Sequence, residues 1–221
     1  MAVIQSSTST AIATVDPTFR SMRTTIKPDE MVGAYHLAAT SGLIAATAIN
    51  SPLFSFRWAP GTGQLCVVKR VSISITTTTG PTSAQQMSWG LFQARGSLTS
   101  DSGGTALAPL VGNSNKQRTN LDSSQITDVR MASTGTLTAG TRTLDANPLA
   151  RINAWIGATT AGVGTTVPNT NLVSYNINDY PVVLQNNEGF VITNTLASVV
   201  MVYRMTVNME WFETDAYRES V

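Results

Sequence analysis

The chain has 221 residues, enough for one large β-domain or two small ones, and a chain of that size buries about 70% of its extended surface. Hydrophobic residues make up 42%, which excludes a chain disordered throughout, while charged residues make up only 12%, against about 25% in an average soluble domain. The 14 basic and 13 acidic residues nearly cancel to a net +1 and form no basic cluster, so nucleic acid is not an expected partner.

Residues 1–32 read as an extended N-terminal arm, and 33–221 as a single β-sandwich domain. Ser6-Ser7-Thr8-Ser9-Thr10 is polar without periodicity, and Pro17 and Pro28 interrupt the rest of the arm. Fixing each backbone residue costs about 1–2 kcal/mol, and the arm has few large apolar side chains to offset that. It is therefore expected to order against a neighbouring subunit, as a strand added to an open sheet edge or as a clamp. Val3, Ile4, Ile12 and Val15 would enter shallow pockets there, and Arg20, Arg23 and Lys27 would meet acidic groups. No basic segment followed by an apolar run opens the chain, so no secretory leader is expected. No apolar run approaches the roughly 20 residues of a membrane helix.

From Gly33 onward the pattern is that of strands. Phe54, Phe56 and Trp58 alternate with Ser55 and Arg57 before the Pro60-Gly61-Thr62-Gly63 turn. Val71, Ile73 and Ile75 alternate with Arg70, Ser72, Ser74 and Thr76, up to the turn at Gly80-Pro81. Met87, Trp89 and Leu91 alternate with Ser88 and Gly90. This period of two marks antiparallel sheets with one buried face. Residues 96–120 read as a long polar connection with a small apolar island at 107–111, and connections of that length tend to be functional or interfacial. A Thr-rich hairpin around Ala139-Gly140 is expected over 134–144, a short helix or strand over 149–156, and a loop over 162–171. Asn186-Asn187-Glu188-Gly189 has hairpin chemistry and should join Val182-Val183-Leu184 to Phe190-Val191-Ile192. The longest strand signal puts Met201, Tyr203, Met205, Val207, Met209 and Trp211 on one face and Arg204, Thr206, Asn208 and Glu210 on the other. About eight to ten such strands with little helix give an all-β chain, an antiparallel β-sandwich or jelly roll.

Chemistry-bearing residues are sparse. His36 is the single histidine, which leaves little from which to build a catalytic triad or a histidine metal site. The single cysteine, Cys66, lies in the apolar run Leu65-Cys66-Val67-Val68, where a thiol behaves as a small hydrophobe. It cannot form an intrachain disulfide, which suits synthesis in a reducing cytoplasm. Asp122, Asp128, Asp145, Asp179, Glu188 and Glu210 are scattered and carry no spacing that signals a catalytic pair or a calcium loop. No catalytic residue, cofactor or metal is expected. Trp58, Trp89 and Trp211 are in phase with apolar faces; Trp155 is not, and an exposed aromatic there would suit stacking on a sugar.

The C-terminal segment resembles small β-structured virion proteins of tailed phages. The likeness lies in Pro181-Val182-Val183-Leu184, in Asn187-Glu188-Gly189-Phe190-Val191-Ile192, and in a long strand ending Met209-Glu210-Trp211-Phe212-Glu213. It covers the last fifth of the chain. The resemblance implies a non-enzymatic capsid decoration, or cement, protein with a jelly-roll fold, homotrimeric on the outer shell, its arm clamping neighbouring capsomers of the major capsid protein. It would be made in the host cytoplasm and reside in the virion. Other roles that fit are a small coat protein, a head-fibre or tail subunit, or a carbohydrate- or receptor-binding module.

Overall fold

The structure, a computed structural model, describes residues 31–61, 63–107, 115–158, 164–175, 181–198 and 200–215. Among these there is no helix, and twelve strands account for the regular structure. In chain order they are β1 (Met31–Thr40), β2 (Pro52–Trp58), β3 (Leu65–Thr79), β4 (Gln85–Arg95), β5 (Thr105–Ala106) and β6 (Asp128–Met131), then β7 (Thr143–Leu144), β8 (Ala150–Ile156), β9 (Thr166–Ser174), β10 (Val182–Leu184), β11 (Glu188–Asn194) and β12 (Val202–Thr214).

Two antiparallel sheets pack face to face as a β-sandwich. The first runs β1-β12-β3, with β9 and β10 sharing the far side of β3. The second runs β5-β6-β2-β11-β4, with β7 and β8 sharing the far side of β4. The pairing is nested: β1 with β12, β2 with β11, β3 with β10, β4 with β8. The short strands β5, β6 and β7 belong to the long connection between β4 and β8.

The alternating residues fill the space between the sheets. Met201, Tyr203, Met205, Val207, Met209 and Trp211 are all buried, as are Val71, Ile73 and Ile75 opposite them on the neighbouring strand. Aromatic rings cross from sheet to sheet. Phe56 stacks on Phe190 at 4.9 Å and meets Trp211 edge-on at 5.7 Å, and Trp211 stacks on Tyr35 at 5.5 Å. Trp89 and Tyr203 make a second crossing, edge-on at 6.1 Å. Each such pair adds about 0.5–1.5 kcal/mol beyond the area it buries.

One device keeps β3 in phase. Its core-facing residues change from even to odd numbers between Val68 and Val71. A bulge allows this: Arg70 pairs with Glu210 and Val68 with Trp211, which leaves Lys69 unpaired in the ladder. Cys66 and Val68 thereby face the same core as Val71, Ile73 and Ile75. Lys69 and Arg70 both turn outward, where they bind Glu210 at 3.2 and 2.9 Å.

Four local expectations meet a definite outcome in this pairing. Residues 150–156 form a strand, not a helix, with Ile152 and Ile156 inward. The loop expected over 162–171 is from Thr166 onward the edge strand β9, its register shifted once at Pro168-Asn169 and once at Leu172. A proline and few apolar residues disguise it, and an edge strand tolerates both. The hairpin expected over 134–144 does not form: Thr138 pairs with Ser102, and β7 pairs with the end of β4. The Asn186-Asn187 turn does have the expected positive φ, +63° at Asn187. It is no hairpin, however, because β10 belongs to one sheet and β11 to the other. The turn carries the chain across the sandwich.

The sandwich has two distinct ends. At the near end lie Met31, which opens β1, and Thr214, which closes β12, paired to each other. At the far end lie the connections 41–51, 80–84 and 195–201.

Candidate functional site

The arm residues singled out from the sequence, Val3, Ile4, Ile12, Val15, Arg20, Arg23 and Lys27, lie outside the described residues. The structure does fix where the arm joins, since β1 starts at the near end and runs toward the far end.

The chemistry-bearing side chains have structural partners. His36 is exposed on β1 beside Glu210 of β12. Cys66 is buried; burial, with Glu213 adding to it, pushes its thiol well above the ordinary value. Lys69 and Arg70 point away from it, held by Glu210. Asp128 accepts from Arg130 at 2.8 Å. Arg95 bridges Glu188 at 2.5 Å and Asp145 at 3.5 Å. Asp179 lies outside the described residues. Asp101 and Arg142, both buried, form an ion pair, and Asp101 also accepts from the Gly140 amide at 2.9 Å. This ties the connection after β4 to the one before β7. Gly140 fits there because a Cβ would strike the carbonyl oxygens of Thr99 and Ser100. Among the described residues no three His, Cys, Asp or Glu side chains gather where they would hold a metal ion.

Glu213 closes the near end. It continues the inward face of β12 beyond Trp211 and is wholly buried. Its carboxylate accepts from the Ser124 hydroxyl at 2.6 Å, the Gln125 amide at 2.9 Å and the Trp211 indole at 3.1 Å. Tyr35 donates to the Asp122 carbonyl at 2.8 Å, so two core residues hold the 122–125 segment across the mouth of the sandwich. Burial raises the Glu213 carboxyl above the usual value, and the three hydrogen bonds pull the other way.

The far end is built from different material. Its connections 41–51, 80–84 and 195–201 contain no charged residue. Asn194, fully buried at the end of β11, donates its amide to Ala48 O at 2.7 Å and Leu196 O at 2.9 Å. The Thr47 amide and hydroxyl both bond the Ser198 hydroxyl, at 2.8 and 3.0 Å. Ile44 and Tyr203 exchange backbone bonds of 2.9 and 3.0 Å. Arg204, just inside β12, reaches Ser41 O at 3.4 Å. On this pinned pair of connections Leu43, Ile49, Leu196 and Val200 are exposed by 45, 57, 37 and 58%. Val200 has φ +47°, a conformation that costs a β-branched residue about 1–3 kcal/mol. Strain of that kind persists only where the surroundings impose it.

Reading by alternation misses this surface, because alternation finds strands and these residues are in loops. The signal available was a pair of charge-free, aliphatic connections in a chain that places charge elsewhere. Trp155 is exposed by 69% on the edge strand β8, while Trp58, Trp89 and Trp211 are buried, each as its phase implied. The chain matches no protein-family model, no curated protein and no solved structure.

Proposed function

We propose that this chain is a non-enzymatic structural subunit of a virion shell, a capsid decoration (cement) protein that clamps neighbouring capsomers. The observation that carries the reading is the nested pairing of first strand with last, second with second-last, and onward to β4 with β8. We read this nested ladder, wrapped into two sheets, as a jelly roll, an architecture used by viral capsid domains, lectins and cupins. The low charge and the uncharged, aliphatic far end favour the shell among these, because such a surface is desolvated at low cost when a neighbour covers it. In this reading the chain works as a homotrimer on the major capsid protein, is made in the host cytoplasm, resides in the virion, and uses the arm residues Val3, Ile4, Ile12, Val15, Arg20, Arg23 and Lys27 as its inter-subunit contacts.

Purified particles containing this chain test the reading. A density map is expected to place it in high copy number on top of a continuous shell made by a second protein. If this chain itself forms the continuous shell it is a coat protein; if a few copies sit at a tail or fibre, the cement reading fails. Trp155 favours a second reading, a carbohydrate-binding module. Glycan binding by the free protein that Trp155→Ala abolishes would decide for it.

A further inference from the structure

We infer that the far end of the sandwich is the receptor for residues 1–15 of the arm of a neighbouring copy. The inference rests on the assembly reading above and names the surface the arm engages.

Three observations meet here. First, the far end carries an aliphatic patch on connections that contain no charged residue, with Arg204 reaching one of them at Ser41 O; Asn194 and the Thr47–Ser198 pair tie those connections together, and Val200 among them has φ +47°. An exposed patch of this kind on a preorganised frame marks a contact surface. Second, the arm divides chemically in two. Residues 1–15 contain no charged side chain and include Val3, Ile4, Ile12 and Val15, whereas Asp16, Arg20, Arg23, Lys27, Asp29 and Glu30 fall in 16–30. The charged half directly precedes β1 in sequence, and β1 starts at the near end, where Arg95, Asp145, Glu188 and Asp122 lie. The uncharged half matches the far end, where a charge would lose its water without a partner. Third, chain direction selects whose far end it is. β1 starts at the near end and runs to the far end, so the arm is joined to the fold at the near end. To reach its own far end, the arm would have to reverse and return the length of β12, about 40 Å. A neighbour set end to end presents its far end to that junction, and 16–30 supplies up to about 50 Å of reach. The contact is head to tail. Repeated through a rotation that closes, it makes a ring such as a trimer.

The test uses the full-length chain. p-Benzoylphenylalanine is introduced at Ile4 or Ile12, and unlabelled and ¹⁵N-labelled chains are mixed before irradiation. Cross-links are expected to join the arm to 41–51 or 195–201 in pairs of one light and one heavy chain. Ile49→Asp should cut their yield at least about tenfold, the scale of an unpaired charge buried in a contact. Val200→Gly, which suits the positive φ and removes the exposed isopropyl group, should also cut it while leaving the circular dichroism unchanged. Cross-links confined to single chains, cross-links landing on another surface, or yields indifferent to both substitutions would overturn the inference. The two readings fail separately. The expected cross-links in a protein absent from particle shells sink the virion reading alone. A shell-bound protein without them sinks this inference alone.

Discussion

The two ends of one sandwich are closed by opposite chemistry. At the near end a buried carboxylate, Glu213, gathers a hydroxyl, an amide and an indole, and the Arg95–Glu188 ion pair lies at the same end of the other sheet. At the far end a neutral amide, Asn194, and a pair of hydroxyls do the same work of joining connections. Both satisfy the buried backbone, as any closed sandwich must. They differ in what can happen next. Neutral groups lose little when a partner excludes water, whereas charges lose much unless they are re-paired. The aliphatic, amide-pinned end therefore loses less on exclusion of water than an end that carries ion pairs.

The largest expected effect tests the core on which both ends depend. Met205→Asp places an unpaired charge between the sheets and should cost about 3–5 kcal/mol. Thr206→Asp, one residue on and facing out toward Thr40, should be mild. Thermal melts followed by circular dichroism check both, and equal melting temperatures would refute the assigned face.

Next comes the far end. Asn194→Ala removes the side-chain donor from Leu196 O and from Ala48 O, which keeps only the longer bond from the Ser51 amide, and should cost about 1–3 kcal/mol. Hydrogen exchange should quicken in 44–50 and 195–198 while 122–126 keeps its protection. Equal quickening at both ends would show that the ends are not independent.

The near end should respond to pH. Because burial raises the Glu213 carboxyl, the folded chain holds that proton more tightly than the unfolded chain does. Its contribution is complete below the ordinary value of 4.5 and is lost as pH rises through the raised value. Glu213→Gln should therefore flatten the dependence of melting temperature on pH above about 4.5. A variant with the wild-type slope would assign that dependence elsewhere. Asn194→Ala should leave the slope unchanged.

The smallest effect belongs to the exposed ion pairs. Arg95→Ala removes contacts to Glu188 and Asp145 from a half-exposed site and should cost under about 1 kcal/mol, less in high salt. Melts at low and high ionic strength check it, and a large loss independent of salt would mean that Arg95 holds more than these two partners.

Much of the fold is written in the sequence, because alternation over β2, β3, β4 and β12 records which face each strand buries. Of the candidate contacts, the arm residues lie outside the described structure. The far-end patch was legible only as an absence of charge, a weak signal until two connections far apart in sequence stand side by side. β9 stayed hidden because an edge strand that leans on a neighbour needs few apolar residues of its own.

By itself the sequence determined the all-β class, the buried face of each long strand, and the conformation of single turns: Asn187 takes the positive φ that its residue type permits. Those are local properties, set by side-chain sterics and by a period of two. Tertiary structure decided which strands pair. The Asn186-Asn187 turn is the sharpest case, since the same dihedrals serve a hairpin or a crossing between sheets. The crossing occurs because β11 hydrogen-bonds to β2 and β4 and packs Phe190 on Phe56, while β10 completes the side of β3. Pairing between distant segments is fixed by the shared core, and no local stretch of chain contains that information.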